Sequence, residues 1–199
     1  GETLVQFRST DNAGNTSAWA PATPTAGSTV RIDRTAPTTP TVGGGSTSWQ
    51  SVASVNIIGL GSTDALSGVS GYQYRTSTDG GSSWTGATSG NSANVTAEGE
   101  TLVQFRSVDG AGNTSAWTPA SATAGSTARI DRTAPTGPTV SGGSLAWQNV
   151  ASVTVTGSGS TDVLAGLSGY QYRTSADGGS TWGGASTGSS AVITAAGET

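Results

Sequence analysis

The side chains able to do chemistry in this chain are twelve carboxylates and eight arginines, with no His, Cys or Lys among them. The usual general bases and activated nucleophiles are therefore missing. A glycosidase pair needs two carboxylates facing one another across a cleft, whereas these acids sit among Gly, Asn and Ser in turn-like sequence. Acids of that kind are turn formers and solvated charges, so no enzyme is expected. Oxygen ligands suit one other chemistry, calcium binding. Asp11-Asn-Ala-Gly-Asn15 and Asp109-Gly-Ala-Gly-Asn113 hold the right atoms. The same residues also suit a hairpin in which Asp accepts neighbouring amides and Gly takes positive φ. Six tryptophans offer a third chemistry, stacking on sugar rings. Trp84 and Trp182, with Trp49, Trp117 and their copies, recur at fixed strand positions, which favours core or rim packing. Asn15-Thr-Ser17, Asn94-Val-Thr96 and Asn113-Thr-Ser115 match the N-glycosylation pattern, but a Ser/Thr-rich chain produces such matches by chance. Asp33-Arg34 and Asp131-Arg132 offer interdomain ion pairs, worth only about 0–1 kcal/mol where exposed.

The elements that must position these residues occur twice. Gly1-Glu-Thr-Leu-Val-Gln-Phe-Arg-Ser9 returns as residues 99–107, Arg31-Ile-Asp-Arg-Thr-Ala-Pro37 as 129–135, and Gly71-Tyr-Gln-Tyr-Arg-Thr-Ser77 as 169–175, always at an offset of 98 positions (99 − 1). About 70 positions match without insertion, and a fixed period defines the unit of folding. This one is too long for a solenoid rung and right for one small all-β domain. The Arg-Ile-Asp-Arg-Thr-Ala-Pro stretch is the boundary, because Pro37 and Pro40 remove backbone donors and favour extended chain. Residues 33–131 then form one complete repeat. Residues 1–32 are the last two strands of a preceding repeat, and 132–199 the first five of a following one. The chain starts and stops in mid-repeat, which reads as a window from a longer protein whose export signal and anchor lie elsewhere.

Within a repeat, short strands alternate with turn residues and no helical period appears. Strands are expected at Thr41-Val42, Ala53–Ile58, Gly71–Ser77, from Trp84, at Ala93–Thr96, at Thr101–Ser107, and from Ser115 to Ile130. That is about seven strands, the number in an immunoglobulin-like sandwich. Side chains alternate along a strand, so Tyr72, Tyr74, Val103 and Phe105 are expected in the core, with Gln73, Arg75, Gln104 and Arg106 in a polar row outside. Hydrophobic residues make up only 33% of the chain, so the aromatics must supply much of each core.

Ile-Asp-Arg-Thr-Ala-Pro closing a unit, Asp-Gly-Ala-Gly-Asn in the last hairpin and Ser-Gly-Val-Ser-Gly-Tyr-Gln-Tyr before an Asp-Gly-Gly turn together resemble the tandem bacterial immunoglobulin-like repeats of large secreted surface proteins, adhesins and fibre-forming proteins included. The resemblance implies an extracellular, cell-attached or filamentous spacer built of fibronectin III-like β-sandwich domains. In that architecture the entry of the first strand and two loops share a pole, which gathers Asp33, Asp64 and Asp109 as a candidate interdomain calcium site. The chain lacks the dense Asp-x-Asp clusters of cadherin-type junctions.

Charge excludes some partners. The net charge is −4 and the pI about 4.5, which argues against electrostatic binding of nucleic acid or anionic lipid. No run of 18 apolar residues exists to span a membrane as a helix. Expected partners are neighbouring repeats or copies of the same protein. The leading function is a structural segment of an extracellular adhesin stalk or filament. The alternatives are a glycan- or protein-binding module, or an accessory module of a secreted polysaccharide-active enzyme.

Overall fold

A computed structural model describes residues 1–194. The C-terminal end of the expected following repeat, residues 195–199, lies outside the described residues. The chain divides into two compact units, Gly1–Ile130 and Asp131–Thr199. Both are β-sandwich-like and built of small antiparallel sheets, as composition and turn spacing predict. Among the described residues no helix is long and apolar enough to cross a membrane.

The first unit opens with a short ribbon, β1 (Glu2–Leu4) paired with β2 (Thr29–Arg31). Two sheets follow. One has the order β3-β4-β7, formed by β3 (Thr41–Gly43), β4 (Val55–Leu60) and β7 (Ser92–Val95). The other has the order β6-β5-β8-β9, formed by β6 (Thr88–Ser89), β5 (Val69–Ser77), β8 (Gly99–Asp109) and β9 (Thr127–Ile130). The second unit holds β10 (Thr139–Ser141), β11 (Val153–Ser158) and β14 (Ser190–Ile193) in one sheet, and β12 (Gln171–Tyr172) with β13 (Ser186–Thr187) in another.

The core of the first unit lies between its two sheets. Val55 and Ile57 of β4 and Ala93 and Val95 of β7 meet Val103 and Phe105 of β8 and Ala128 and Ile130 of β9, with Val42 and Tyr74 against them. In β4 every second residue is buried, the period of a strand with one face inward. Phe105 is fully buried, and Gly59 makes room for it. A Cβ built on Gly59 falls 2.5 Å from Phe105 Cγ. Tyr74 lies directly opposite Phe105 across the β5–β8 pair, with ring centroids 5.8 Å apart.

Three expectations need correction. The core is mainly aliphatic, and no tryptophan belongs to it. Tyr72 is half-buried and outside the cluster, its hydroxyl accepting the Ser62 amide at 3.3 Å. The last strand is not continuous from Ser115: single bridges at Thr114 and Thr118 and a 3-10 turn at Ala124–Ser126 precede β9. Pro119 lies in that stretch, and having no N–H it cannot extend a ladder.

Candidate functional site

Three polar constellations stand out in the first unit, an acidic cluster, an arginine–tryptophan face and an aspartate-closed hairpin. The acidic cluster joins the three aspartates singled out from sequence. One carboxylate oxygen from each of Asp33, Asp64 and Asp109 lies within 4.8 Å of the others. Each sits where a turn leaves its amides unpaired, and each accepts those amides. Asp33 takes the N–H of Thr35 at 2.9 Å and of Ser67 at 3.0 Å. Asp64 takes those of Leu66 at 3.1 Å and Gly68 at 2.8 Å through a single oxygen. Asp109, only 2% exposed, takes those of Ala111 at 2.9 Å and Asn113 at 2.7 Å. The Ser67 hydroxyl, followed by the Thr35 amide, holds the Asp33 carboxyl below its ordinary range, because both donors favour the charged form.

The donor set fits a hard cation only in part. Three carboxylates supply hard oxygens, but calcium takes six to eight such ligands. The two nearby main-chain carbonyls, Asp33 O and Thr35 O, already accept Asn113 Nδ2 at 3.3 and 3.4 Å. The same nitrogen donates to Asp109 Oδ2 at 2.7 Å. An amide donor thus occupies oxygens a cation would need. The arrangement works as a clamp, in which Asn113 fastens its hairpin to the entry of the repeat.

The sequence reading placed Gln73, Arg75, Gln104 and Arg106 in one outer row, and the strand register sets them opposite one another. Gln73 stands opposite Arg106, and Arg75 opposite Gln104. Arg75 donates to Gln104 Oε1 through Nε at 2.9 Å and Nη2 at 2.6 Å, and Arg106 Nε donates to Gln73 Oε1 at 2.8 Å. Gln104 is nevertheless buried, its own amide spent on the Pro119 carbonyl at 2.7 Å. Two indoles complete a stack that the sequence reading did not assemble. The Arg75 guanidinium lies 4.8 Å from the Trp84 ring and 4.6 Å from Trp117, and Arg106 lies 4.6 Å from Trp117. The order is Trp84, Arg75, Trp117, Arg106. Burial, then the charge of Arg106, lowers the Arg75 pKa, but a guanidinium stays cationic. Each contact contributes about 0.5–2 kcal/mol. The signal was present in the sequence: each indole follows a hairpin turn that returns it beside the arginine strand.

A third constellation closes the Asp79-Gly-Gly81 hairpin. Asp79 accepts the Ser83 amide at 2.9 Å and hydroxyl at 2.5 Å, and the Ser77 hydroxyl at 2.7 Å. Ser77 in turn takes the Gly81 amide at 2.9 Å. Ser175, Asp177, Gly179 and Thr181 repeat every one of these contacts. In both copies the next residue is the tryptophan that covers the arginine, Trp84 or Trp182.

Compared with protein-family models and with curated proteins, the sequence matches none.

Proposed function

We propose that the chain is a structural repeat segment of an extracellular bacterial surface adhesin stalk or filament. Its domains are immunoglobulin-like, of the fibronectin III kind, with the complete repeat at 33–131 between partial repeats at 1–32 and 132–199. The sheet orders β3-β4-β7 and β6-β5-β8-β9 support that type, since a short edge strand on the second sheet distinguishes it from a constant-type immunoglobulin domain. One observation carries the functional reading: local bonding recurs at the repeat offset, down to single hydroxyls. The Thr63 amide donates to Thr38 Oγ1 at 2.8 Å, and the Thr161 amide to Thr136 Oγ1 at 2.8 Å. Gln6 Nε2 donates to the Pro21 carbonyl at 2.8 Å, as Gln104 Nε2 does to that of Pro119. A chain that repeats its scaffold so closely is suited to length and stiffness. Short Pro-containing junctions limit bending better than a Gly/Ser tether.

The test is a comparison of the chain with a variant in which Trp19, Trp147 and Trp182 are Ala. A spacer retains its unfolding transition and shows no glycan-array signal before or after the change. Glycan binding that disappears in the variant favours the second reading, a glycan- or protein-binding module or one accessory to a polysaccharide-active enzyme. Exposure of those three rings is what supports that alternative.

A further inference from the structure

The arginines that face a partner across a strand pair in the first unit are of two kinds. Arg31 stands opposite Glu2 and Arg129 opposite Glu100, and both form ion pairs, at 2.5 and 2.6 Å. Arg75 and Arg106, on β5 and β8, stand opposite Gln104 and Gln73 instead. A glutamine carbonyl accepts their N–H groups as a carboxylate does, but it brings no charge. Among the described residues no ion pair reaches either arginine. Their guanidinium carbons are no further apart than twice 4.6 Å, because each lies 4.6 Å from the centre of the same Trp117 ring. The complete repeat therefore holds two neighbouring cations on one outer face, left without a bonded counter-charge. The choice of glutamine recurs at the repeat offset. Gln6 precedes Arg8 as Gln104 precedes Arg106, and Gln171 precedes Arg173 as Gln73 precedes Arg75.

The stack decides which ligand chemistry remains open. Trp117 carries a guanidinium against its ring twice over, so it is not a free platform for a sugar. The indoles in turn cover the guanidinium planes and leave their edges. Nε of each arginine, and Nη2 of Arg75, are spent on glutamine. Nη1 of Arg75 and both Nη groups of Arg106 meet no acceptor among the described residues. Two Nη groups side by side form a fork that matches the two oxygens of a carboxylate. Both arginines are half-buried and held by glutamine and indole before any ligand arrives, which lowers the ordering cost of binding.

We propose that the outer face bearing Arg75, Arg106, Trp84 and Trp117 is a docking surface for an acidic peptide segment of a partner protein, whose Asp or Glu carboxylates take the open Nη groups. Charge complementarity selects that occupant, and the chain itself shows the preferred anion: Arg31 and Arg129, where a carboxylate is within reach, bond it directly. The net charge of −4 does not forbid the contact. At physiological salt, exposed charges more than about 8 Å away are largely screened, so the guanidinium pair dominates at short range. The contact goes beyond the spacer reading and does not depend on it.

Fluorescence anisotropy of a labelled peptide of alternating Glu and Gly, titrated with the 199-residue chain, tests the proposal. The peptide binds saturably and more weakly as salt rises, and a Gln/Gly peptide does not bind. In NMR spectra of the chain, the Nε–H signals of Arg75 and Arg106 move together with the same midpoint. Gln73→Glu leaves both arginines in place and gives Arg106 the carboxylate that Glu100 gives Arg129. It weakens the peptide roughly tenfold, as loss of a charge-assisted bond does, with the urea midpoint no lower than wild type. Arg106→Gln weakens it to a similar degree. Arg129→Gln, removing a guanidinium already paired, leaves affinity within about twofold. Absence of saturable binding overturns the proposal, as do stationary Arg75 and Arg106 signals, full affinity in Gln73→Glu, or equal binding of the Gln/Gly peptide. Tighter binding of oligogalacturonate or polyphosphate than of the Glu/Gly peptide overturns the choice of occupant.

Discussion

Phe105→Ala is the sharpest test of the core, because the chain contains its own control. Phe105 is fully enclosed between the sheets, with the Tyr74 ring 5.8 Å away and Gly59 directly beneath it. Burying a Phe side chain contributes about 1.5–3 kcal/mol. Deleting it also leaves a cavity, which raises the usual cost to about 3–5 kcal/mol. Gly59 has no side chain to move into the space, so the upper half of that range is expected here. A small domain has about 5–15 kcal/mol in total, and the variant should lose a large share of it. The assay is urea denaturation followed by far-UV circular dichroism, with the free-energy difference taken from midpoint and slope. Phe7→Ala, made within the same Gly-Glu-Thr-Leu-Val-Gln-Phe-Arg-Ser sequence, is measured at a concentration where single chains sediment. It should fall within about 0.5 kcal/mol of wild type, as exposed positions do. Equal losses at the two positions, or a loss below about 1 kcal/mol for Phe105→Ala, refute the packing argument.

Four further outcomes follow from the geometry. Gly59→Ala forces a Cβ to within 2.5 Å of Phe105 and should cost about 1–3 kcal/mol as overpacking, while Gly157→Ala in single chains leaves the urea midpoint in place. The Thr181 hydroxyl, then its amide and the Ser175 hydroxyl, lower the Asp177 pKa from 3.8 to about 2. A depressed folded pKa means that this stabilisation is present above pH 3.8 and is lost as pH falls toward 2. Carboxyl NMR titration should show the shift and Thr181→Ala should raise it, whereas a wild-type value near 3.8 contradicts the hairpin account. Asn113→Ala removes the donor shared by Asp33 O, Thr35 O and Asp109 Oδ2 and should cost about 1–3 kcal/mol in thermal melts. Calorimetric titration of wild type with millimolar calcium should give no saturable heat, and saturable heat would establish a metal centre in place of the clamp.

Sequence made the β architecture legible where local signals agree with the final fold. Alternation at Thr101–Ser107 and the Asp-Gly-Gly turn specify a strand and a reversal without help from distant residues, and both are present as β8 and the turn after β5. The convergence of Asp33, Asp64 and Asp109 was also legible, because the strand order alone brings those loops together. What those carboxylates bond to was not. Their partners are backbone amides and the Asn113 side chain, set by turn geometry that residue type does not specify. Of the core or rim packing expected for the tryptophans, only the rim is present, for a related reason. Their size suggests a core, but an indole also suits an outer face when a guanidinium covers it. Tyr72 follows the inward alternation yet stays outside the core cluster, near the irregular register between Val69 and Gly71.

Asn113 ties the entry of the repeat to the far end of its longest hairpin. Tension applied at Asp33 therefore reaches Asp109, and with it the 11-residue β8, through side-chain links before the three-residue β3 must carry it. Such a bypass shields the weakest ladder of the sheet from the first pull. The rupture force of a repeat would then be set by the shearing of its longest strand, and not by the peeling of its shortest.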